Sequence, residues 1–126
     1  MTTILVAEDN PASRELIREI LEAHNFSVLE AADGEQARAL LSERPHLVLL
    51  DIRMPRGNGF EILQAIRSDV LLGRIPVFAV TAFAMEGDRE HALAAGFDDY
   101  ISKPISQKEL IAKIRSALDR PLATSC

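Results

Sequence analysis

The sequence has very little cysteine and no long apolar run, and both shortages limit what the chain can be. Its one cysteine, Cys126, is the last residue, so we expect neither a disulfide framework nor a metal site built from cysteines. The apolar runs are far too short to cross a bilayer, and no charged start with a long apolar stretch marks a signal peptide. We therefore expect a cytoplasmic protein that makes no membrane contact.

Positive charge is also in short supply. Lysine and arginine total 14 against 19 aspartate and glutamate residues, a net charge of -5. This balance argues against a general nucleic-acid or membrane-surface binder, although it leaves room for a local basic patch. The three histidines, at positions 24, 46 and 91, are too scattered to form a metal-ligand set. No glycine-rich phosphate loop follows the first apolar run, which disfavours nucleotide binding.

What the chain does contain is a regular alternation of short apolar runs and helical patterns. Its 126 residues, 48% hydrophobic and 26% charged, suit one globular domain with one core. Several runs are apolar without alternation, which is typical of strands buried on both faces of a parallel sheet. The predicted strands are "TILVAE" (3–8), "SVLEA" (27–31), "LVLLD" (47–51), "PVFAVT" (76–81) and "DDYIS" (98–102).

Helices with start and stop signals fill the intervals between these strands. At Asn10-Pro11 a cap residue precedes a proline, whose fixed φ suits the first turn of a helix. "SQKE" (106–109) is a capping box. The other signals are Asp33 and Pro45 for the second helix, Asn58 for the third, and Met85 and Gly96 for the fourth. Such an order implies right-handed βαβ crossovers and an α/β doubly wound parallel sheet.

Chemically active side chains follow the predicted strands at their carboxyl ends, where ligands bind in such sheets. Glu8 and Asp9 follow the first strand, Asp51 ends the third, Thr81 ends the fourth, and Lys103 follows the fifth. Crowded carboxylates repel one another unless their pKa values rise or a cation joins them. Oxygen ligands without histidine or cysteine suit Mg²⁺, so this edge of the sheet is a candidate magnesium site.

The same residues suit phosphoryl transfer. A carboxylate can act as nucleophile and form an acyl phosphate, while a metal and a lysine neutralise charge on the moving group. Asp51 is the best nucleophile candidate because it is central and ends the most hydrophobic strand. Asp9 and Glu8 are placed as metal ligand and helper, and the backbone carbonyl of Arg53 is expected to reach the metal from the following loop.

Four motifs, each at a predicted strand end, resemble the receiver domain of two-component response regulators. They are "AEDN", "LLDIRMPRGNGFE", "VTAFA" and "YISKPI". The resemblance covers residues 1–119 and leaves 120–126 as a flexible C-terminal tail. Within the family, the chain is most similar to DivK-type single-domain regulators and to receivers of hybrid histidine kinases. The resemblance implies a CheY-like, flavodoxin-like (βα)5 sheet with strand order 2-1-3-4-5.

The resemblance also implies roles at the acidic end of the site. Asp51 matches the phosphoryl acceptor, and Asp9 matches a direct metal ligand together with Asp51 and the carbonyl of Arg53. Glu8 matches the acidic position that acts through a metal-bound water. The implied cofactor is Mg²⁺, for which Mn²⁺ can substitute.

The remaining matches concern the response to phosphorylation. Thr81 matches the hydroxyl that bonds the phosphate, and Lys103 matches the lysine that pairs with it, with a cis bond to Pro104. Tyr100 matches an aromatic switch position, where the ring is expected to turn inward after Thr81 moves. The implied protein is a signalling switch rather than an enzyme. It receives phosphate from a histidine kinase or phosphotransfer protein and contacts a target through its fourth helix, fifth strand and fifth helix.

Simpler interpretations and rival functions remain open at this stage. Asp51 and Asp9 could merely cap turns, Thr81 could be an ordinary strand residue, and Tyr100 could serve packing alone. An aspartyl phosphatase of the haloacid dehalogenase type uses similar chemistry. It requires a second acid two residues after the nucleophile, however, and this chain has Arg53 there. A pure interaction module with the same fold would never be phosphorylated.

Overall fold

The structure is a computed structural model that describes residues 2–52, 59–70, 72–81 and 88–119. Four expectations therefore lie outside the described residues: the carbonyl of Arg53, the cap at Asn58, the start of the fourth helix at Met85 and the tail 120–126. Of the helices within these ranges, none combines the length and the apolar character that crossing a membrane requires.

Five parallel strands form one sheet. Their order is β2-β1-β3-β4-β5, and every neighbouring pair is parallel, so the predicted α/β fold and strand order are confirmed. Each strand matches its predicted range to within one residue at either end. The strands are β1 (Thr3–Ala7), β2 (Ser27–Ala31), β3 (Leu47–Asp51), β4 (Val77–Thr81) and β5 (Asp99–Ser102).

Helices alternate with the strands, and the first, second and fifth begin at the expected caps. The Asn10 side-chain oxygen accepts a hydrogen bond from the Ser13 amide at 3.0 Å, and Asp33 accepts from the Gln36 amide at 2.8 Å. The Ser106 hydroxyl oxygen accepts a hydrogen bond from the Glu109 amide at 3.3 Å, which is one of the two hydrogen bonds of the predicted capping box. The helices are α1 (Pro11–Ala23), α2 (Gly34–Leu40), α3 (Gly59–Ser68), α4 (Asp88–Ala95) and α5 (Gln107–Asp119).

Two local details differ from the expectation. The second helix ends at Leu40, and a 3₁₀ turn over Leu41–Glu43 leads to Arg44 in a left-handed conformation with φ of 53°, before Pro45 is reached. The helical spacing of Leu16 with Ile17, Ile20 and Leu21 predicts that all four are buried, but Leu16 is 45% exposed because it lies at the margin of that apolar stripe.

Apolar side chains cover both faces of the sheet. On one face, residues such as Leu50 and Ala79 pack against α2, α3 and α4. On the other, residues such as Leu49 and Phe78 pack against α1 and α5. With both faces covered, the strands carry apolar residues on both sides, which explains their continuous apolar runs. Within this frame, the carboxyl edge of the sheet is where the buried polar side chains Glu8, Asp51 and Thr81 lie.

Candidate functional site

Three carboxylates meet at the carboxyl ends of two neighbouring strands. Glu8 and Asp9 come directly after β1, and Asp51 is the last residue of β3. Because Ala7 pairs with Leu50 in the sheet, Glu8 arrives beside Asp51. Carboxylate oxygens of the three residues all lie within 4.8 Å of one another. The structure therefore brings together the acids that the sequence predicted would converge.

Lys103 reaches the same cluster from the end of β5. Its backbone amide donates to the Thr81 carbonyl at 2.8 Å, which fixes the end of β5 beside the end of β4. The bond to Pro104 is cis, as the resemblance implied. The ammonium contacts Glu8 Oε1 and lies 3.4 Å from Asp51 Oδ2, so it bridges two buried carboxylates.

Burial and mutual contact shift the pKa values of this group. Glu8 is only 1% exposed, and this burial, together with a hydrogen bond to Asp51, raises the pKa of the Glu8 carboxyl above its usual range. Burial alone would lower the pKa of Lys103. The hydrogen bond to Glu8 and the charge of Asp51 outweigh that effect and raise the pKa of Lys103, so its ammonium stays charged at neutral pH.

Each oxygen of Glu8 has its own contact. Oε1 meets the Lys103 ammonium, while Oε2 accepts the backbone amide of Asn10 at 3.1 Å. The Glu8 backbone is held as well, since its amide donates to the Ala31 carbonyl at 3.0 Å. Asp9, between Glu8 and Asn10, is exposed to solvent. Glu8 is thus the inner carboxylate of the cluster, and Asp9 is the one that solvent ions reach directly.

The end of β3 is packed against the start of α3 through a glycine. The Gly59 amide donates to the Ile52 carbonyl at 3.0 Å. A Cβ added at Gly59 would lie 2.8 Å from the Asp51 carbonyl oxygen and 2.9 Å from Ile52 Cα, too close for any side chain without a backbone shift. Gly59 therefore permits the close approach that fixes the backbone of Asp51.

Thr81 and Tyr100 lie on the same side of the sheet. Asp51 pairs with Val80, so Thr81 is one residue beyond it at the end of β4, and it is 3% exposed. Tyr100 pairs with Ala79 and packs into the core below α3 and α4. Alternation along β4 directs Thr81 to the face of Ala79. Tyr100 is only 8% exposed, so most of its side chain is buried in this structure.

The cluster has the chemistry of a magnesium site. With all three acids ionised, the described carboxylates and the Lys103 ammonium carry a net charge of -2, which a divalent cation would balance. All side-chain donors are carboxylate oxygens, the ligands that Mg²⁺ prefers, and the exposed position of Asp9 leaves room for the waters that Mg²⁺ retains. The residues therefore fit the metal that the sequence predicted.

Sequence reasoning missed a second polar network at the opposite end of the sheet. The position of Asp98 just before β5 predicts a solvated carboxylate, but this prediction is wrong, because the carboxylate accepts hydrogen bonds from Arg67 and from the Val77 amide, both at 2.8 Å. The Arg67 guanidinium also donates to the carbonyls of Ile75 and Gly96 at 2.8 Å. Arg67 and Asp98 are 31 residues apart, and no local sequence pattern predicts their contact.

Comparison with known proteins decides the family. The sequence profile of the response regulator receiver domain matches residues 4–115. The chain belongs to the response regulator receiver family. It is the receiver domain of a two-component response regulator, as the four strand-end motifs predicted. The polar-differentiation response regulator DivK of Brucella anthropi is 40% identical over 117 residues, which cover 92% of this chain and 95% of DivK.

The other similar proteins are of different kinds. The transcriptional regulatory protein CpxR of Escherichia coli K12 is 42% identical over 120 residues, 95% of this chain but only 50% of CpxR. The receiver domain of sensor histidine kinase PA1611 from Pseudomonas aeruginosa superposes with a TM-score of 0.86 at 35% identity. The match covers 94% of this chain and 98% of the PA1611 receiver domain. That receiver domain carries a magnesium ion coordinated in its active-site cleft. Chemotaxis protein CheY4 of Vibrio cholerae, at a TM-score of 0.85 and 24% identity, shares the fold.

Proposed function

We propose that Asp51 accepts a phosphoryl group from a phosphohistidine of a sensor histidine kinase or a phosphotransfer protein. The observation that carries this proposal is the buried Asp51 carboxylate, 3.4 Å from a charged lysine and clustered with two further acids. The similarity to DivK and to the receiver of a sensor histidine kinase supports a phosphorelay role. The chain then acts as a switch that is altered by its own phosphorylation rather than as an enzyme.

The transfer itself is a nucleophilic displacement at phosphorus. One carboxylate oxygen of Asp51 forms a bond to phosphorus while the phosphorus–nitrogen bond of the phosphohistidine breaks, and the bonding electrons stay on the imidazole nitrogen. The product is an acyl phosphate on Asp51. Lys103 faces Asp51 Oδ2 and keeps its proton, so its positive charge lies beside the carboxylate that would receive the phosphoryl group.

Asp9 and Asp51 would hold Mg²⁺ directly, with Glu8 acting through a water and the backbone carbonyl of Arg53 completing the protein ligands. When bound, Mg²⁺ or Mn²⁺ neutralises charge on the carboxylates and on the transferred group. Glu8 has a second task that needs no metal, because it holds both the Lys103 ammonium and the Asn10 amide in place.

The signal would pass from Asp51 to Tyr100 through Thr81. A phosphoryl group adds about -1.5 to -2 charge and three strong acceptor oxygens, one of which the Thr81 hydroxyl can bond. Thr81 and Tyr100 share one face of the sheet, so a movement of Thr81 changes the space beside the tyrosine ring. Because the Tyr100 side chain is already largely buried, phosphorylation would hold this buried arrangement more firmly rather than create it. The surface of α4, β5 and α5 would then present the signal to a protein target.

Phosphorylation by acetyl phosphate tests this proposal directly. Intact-mass measurement should show one phosphoryl group per chain in the presence of Mg²⁺, none after chelation by EDTA, and none for Asp51→Asn. The matched control is Asp33→Asn, because asparagine caps a helix as well as aspartate does and α2 should remain intact. Full labelling of Asp51→Asn would refute the assignment. Many turnovers per chain would indicate a phosphatase, and no labelling of the wild type would indicate a pure interaction module.

A further inference from the structure

The turn that carries Asp9 is held from both sides although Asp9 itself is exposed. On one side, the Glu8 carbonyl accepts a hydrogen bond from Arg14 Nη1 at 2.8 Å. On the other, the Asn10 amide donates to Glu8 Oε2 at 3.1 Å. The orientations of the two peptide planes that flank a residue determine its φ and ψ. These two bonds therefore fix the direction in which the Asp9 side chain leaves the backbone.

Arg14 is itself anchored to the edge of the sheet. It lies in the first turns of α1, with its side chain 21% exposed, and its Nε is 3.5 Å from Glu30 Oε1 on β2. The planar guanidinium has several donors in fixed directions, so it can bind Glu30 and the Glu8 carbonyl at the same time. Glu30 also contacts Arg18, one helical turn further from the acidic turn, through Oε2 at 3.5 Å. A continuous chain of contacts thus runs from β2 through Arg14 to the peptide before Asp9.

We propose that Arg14 is a positioning residue for the cation site: it fixes the peptide between Glu8 and Asp9 and so presents the Asp9 carboxylate to the metal. The inference rests on the proposed function, since it needs the acidic cluster to bind Mg²⁺. It predicts a change in Mg²⁺ affinity opposite in sign to the change expected from charge alone. Removing a positive charge near a cation site should strengthen cation binding, whereas releasing the Asp9 backbone should weaken it.

Calorimetric titration of the full chain with Mg²⁺ separates these effects, because it measures binding without any phosphorylation. Arg14→Ala should raise the Kd for Mg²⁺ about tenfold, the size typical of losing a group that orients a metal ligand. Arg14→Lys keeps the charge but loses the forked geometry, so it should raise the Kd by a smaller factor. Arg18→Ala removes the other arginine that contacts Glu30 and should leave the Kd unchanged.

The control measurements keep a folding defect from imitating the result. Thermal unfolding by circular dichroism should show a folded protein in each variant, and if Arg14→Ala does not fold, the comparison of Arg14→Lys with Arg18→Ala decides. An unchanged or lower Kd in the folded Arg14 variants would overturn the inference and leave the proposed function intact. Failure of the wild type to bind Mg²⁺ would overturn both.

Discussion

Replacement of Lys103 by methionine tests whether the lysine holds the acidic cluster together. The ammonium lies 3.4 Å from Asp51 Oδ2, a separation worth about 5 kcal/mol of Coulomb attraction at an effective dielectric constant of about 20. Desolvation offsets part of this attraction, and removing one partner of a buried pair typically costs about 3–5 kcal/mol. We expect Lys103→Met to lower the free energy of unfolding by about 3 kcal/mol, the lower end of that range, because Glu8 can take up a proton.

Urea unfolding followed by circular dichroism measures this loss at neutral pH in the presence of EDTA. The matched control is Lys108→Met, which removes the same charge from an exposed position in the first turn of α5. Saturating Mg²⁺ should restore part of the stability of Lys103→Met, because the cation neutralises the same carboxylates and binds only the folded protein. A loss below about 1 kcal/mol, equal to that of the control, would show that the contact is no stronger than a surface ion pair and would refute the argument.

Three further predictions concern other residues of the site. Burial raises the folded-state pKa of Glu8 above 4.5, so its contribution to stability is fully present below pH 4.5 and is lost as the pH rises through the raised value. Glu8→Gln should therefore flatten the dependence of the unfolding free energy on pH over that window in EDTA, and an unchanged profile would contradict the assigned shift. Gly59→Ala should cost about 1–3 kcal/mol in urea unfolding and slow labelling by acetyl phosphate, because its Cβ would displace the backbone of Asp51; a variant as stable and as reactive as the wild type would disagree. Tyr100 is the sole tyrosine in a chain without tryptophan, so tyrosine fluorescence reports on this residue alone. If phosphorylation holds the ring more firmly in the core, acrylamide should quench this fluorescence less after phosphorylation, and equal quenching in both states would argue against a role of Tyr100 in the switch.

The fold and the acidic cluster were predictable because local signals and topology determine them. The apolar run that ends in Asp51 is typical of a strand covered on both faces, and the cap at Asn10 marks where α1 begins. Once parallel strands are inferred, their carboxyl ends share one edge, which places Glu8 and Lys103 near Asp51 without any knowledge of distances.

Contacts between distant segments were not predictable in the same way. The hydrogen bond from Arg14 to the Glu8 carbonyl depends on how α1 docks on the sheet, and the pairing of Arg67 with Asp98 depends on where α3 ends relative to β5. The burial of the Tyr100 ring depends on a side-chain rotation that a sequence pattern does not record. These features follow from side-chain packing. Periodicity in a single sequence indicates which face of an element is buried, but not which residues meet across that face.

The most direct measurement is to locate the phosphoryl group within the chain. After incubation with acetyl phosphate and Mg²⁺, borohydride reduction converts an acyl phosphate into a stable alcohol that peptide mass spectrometry can assign to a residue. The account predicts that this reduced product occurs at position 51 alone and disappears when Mg²⁺ is chelated. Reduction products at another acid, with position 51 unmodified, would contradict it.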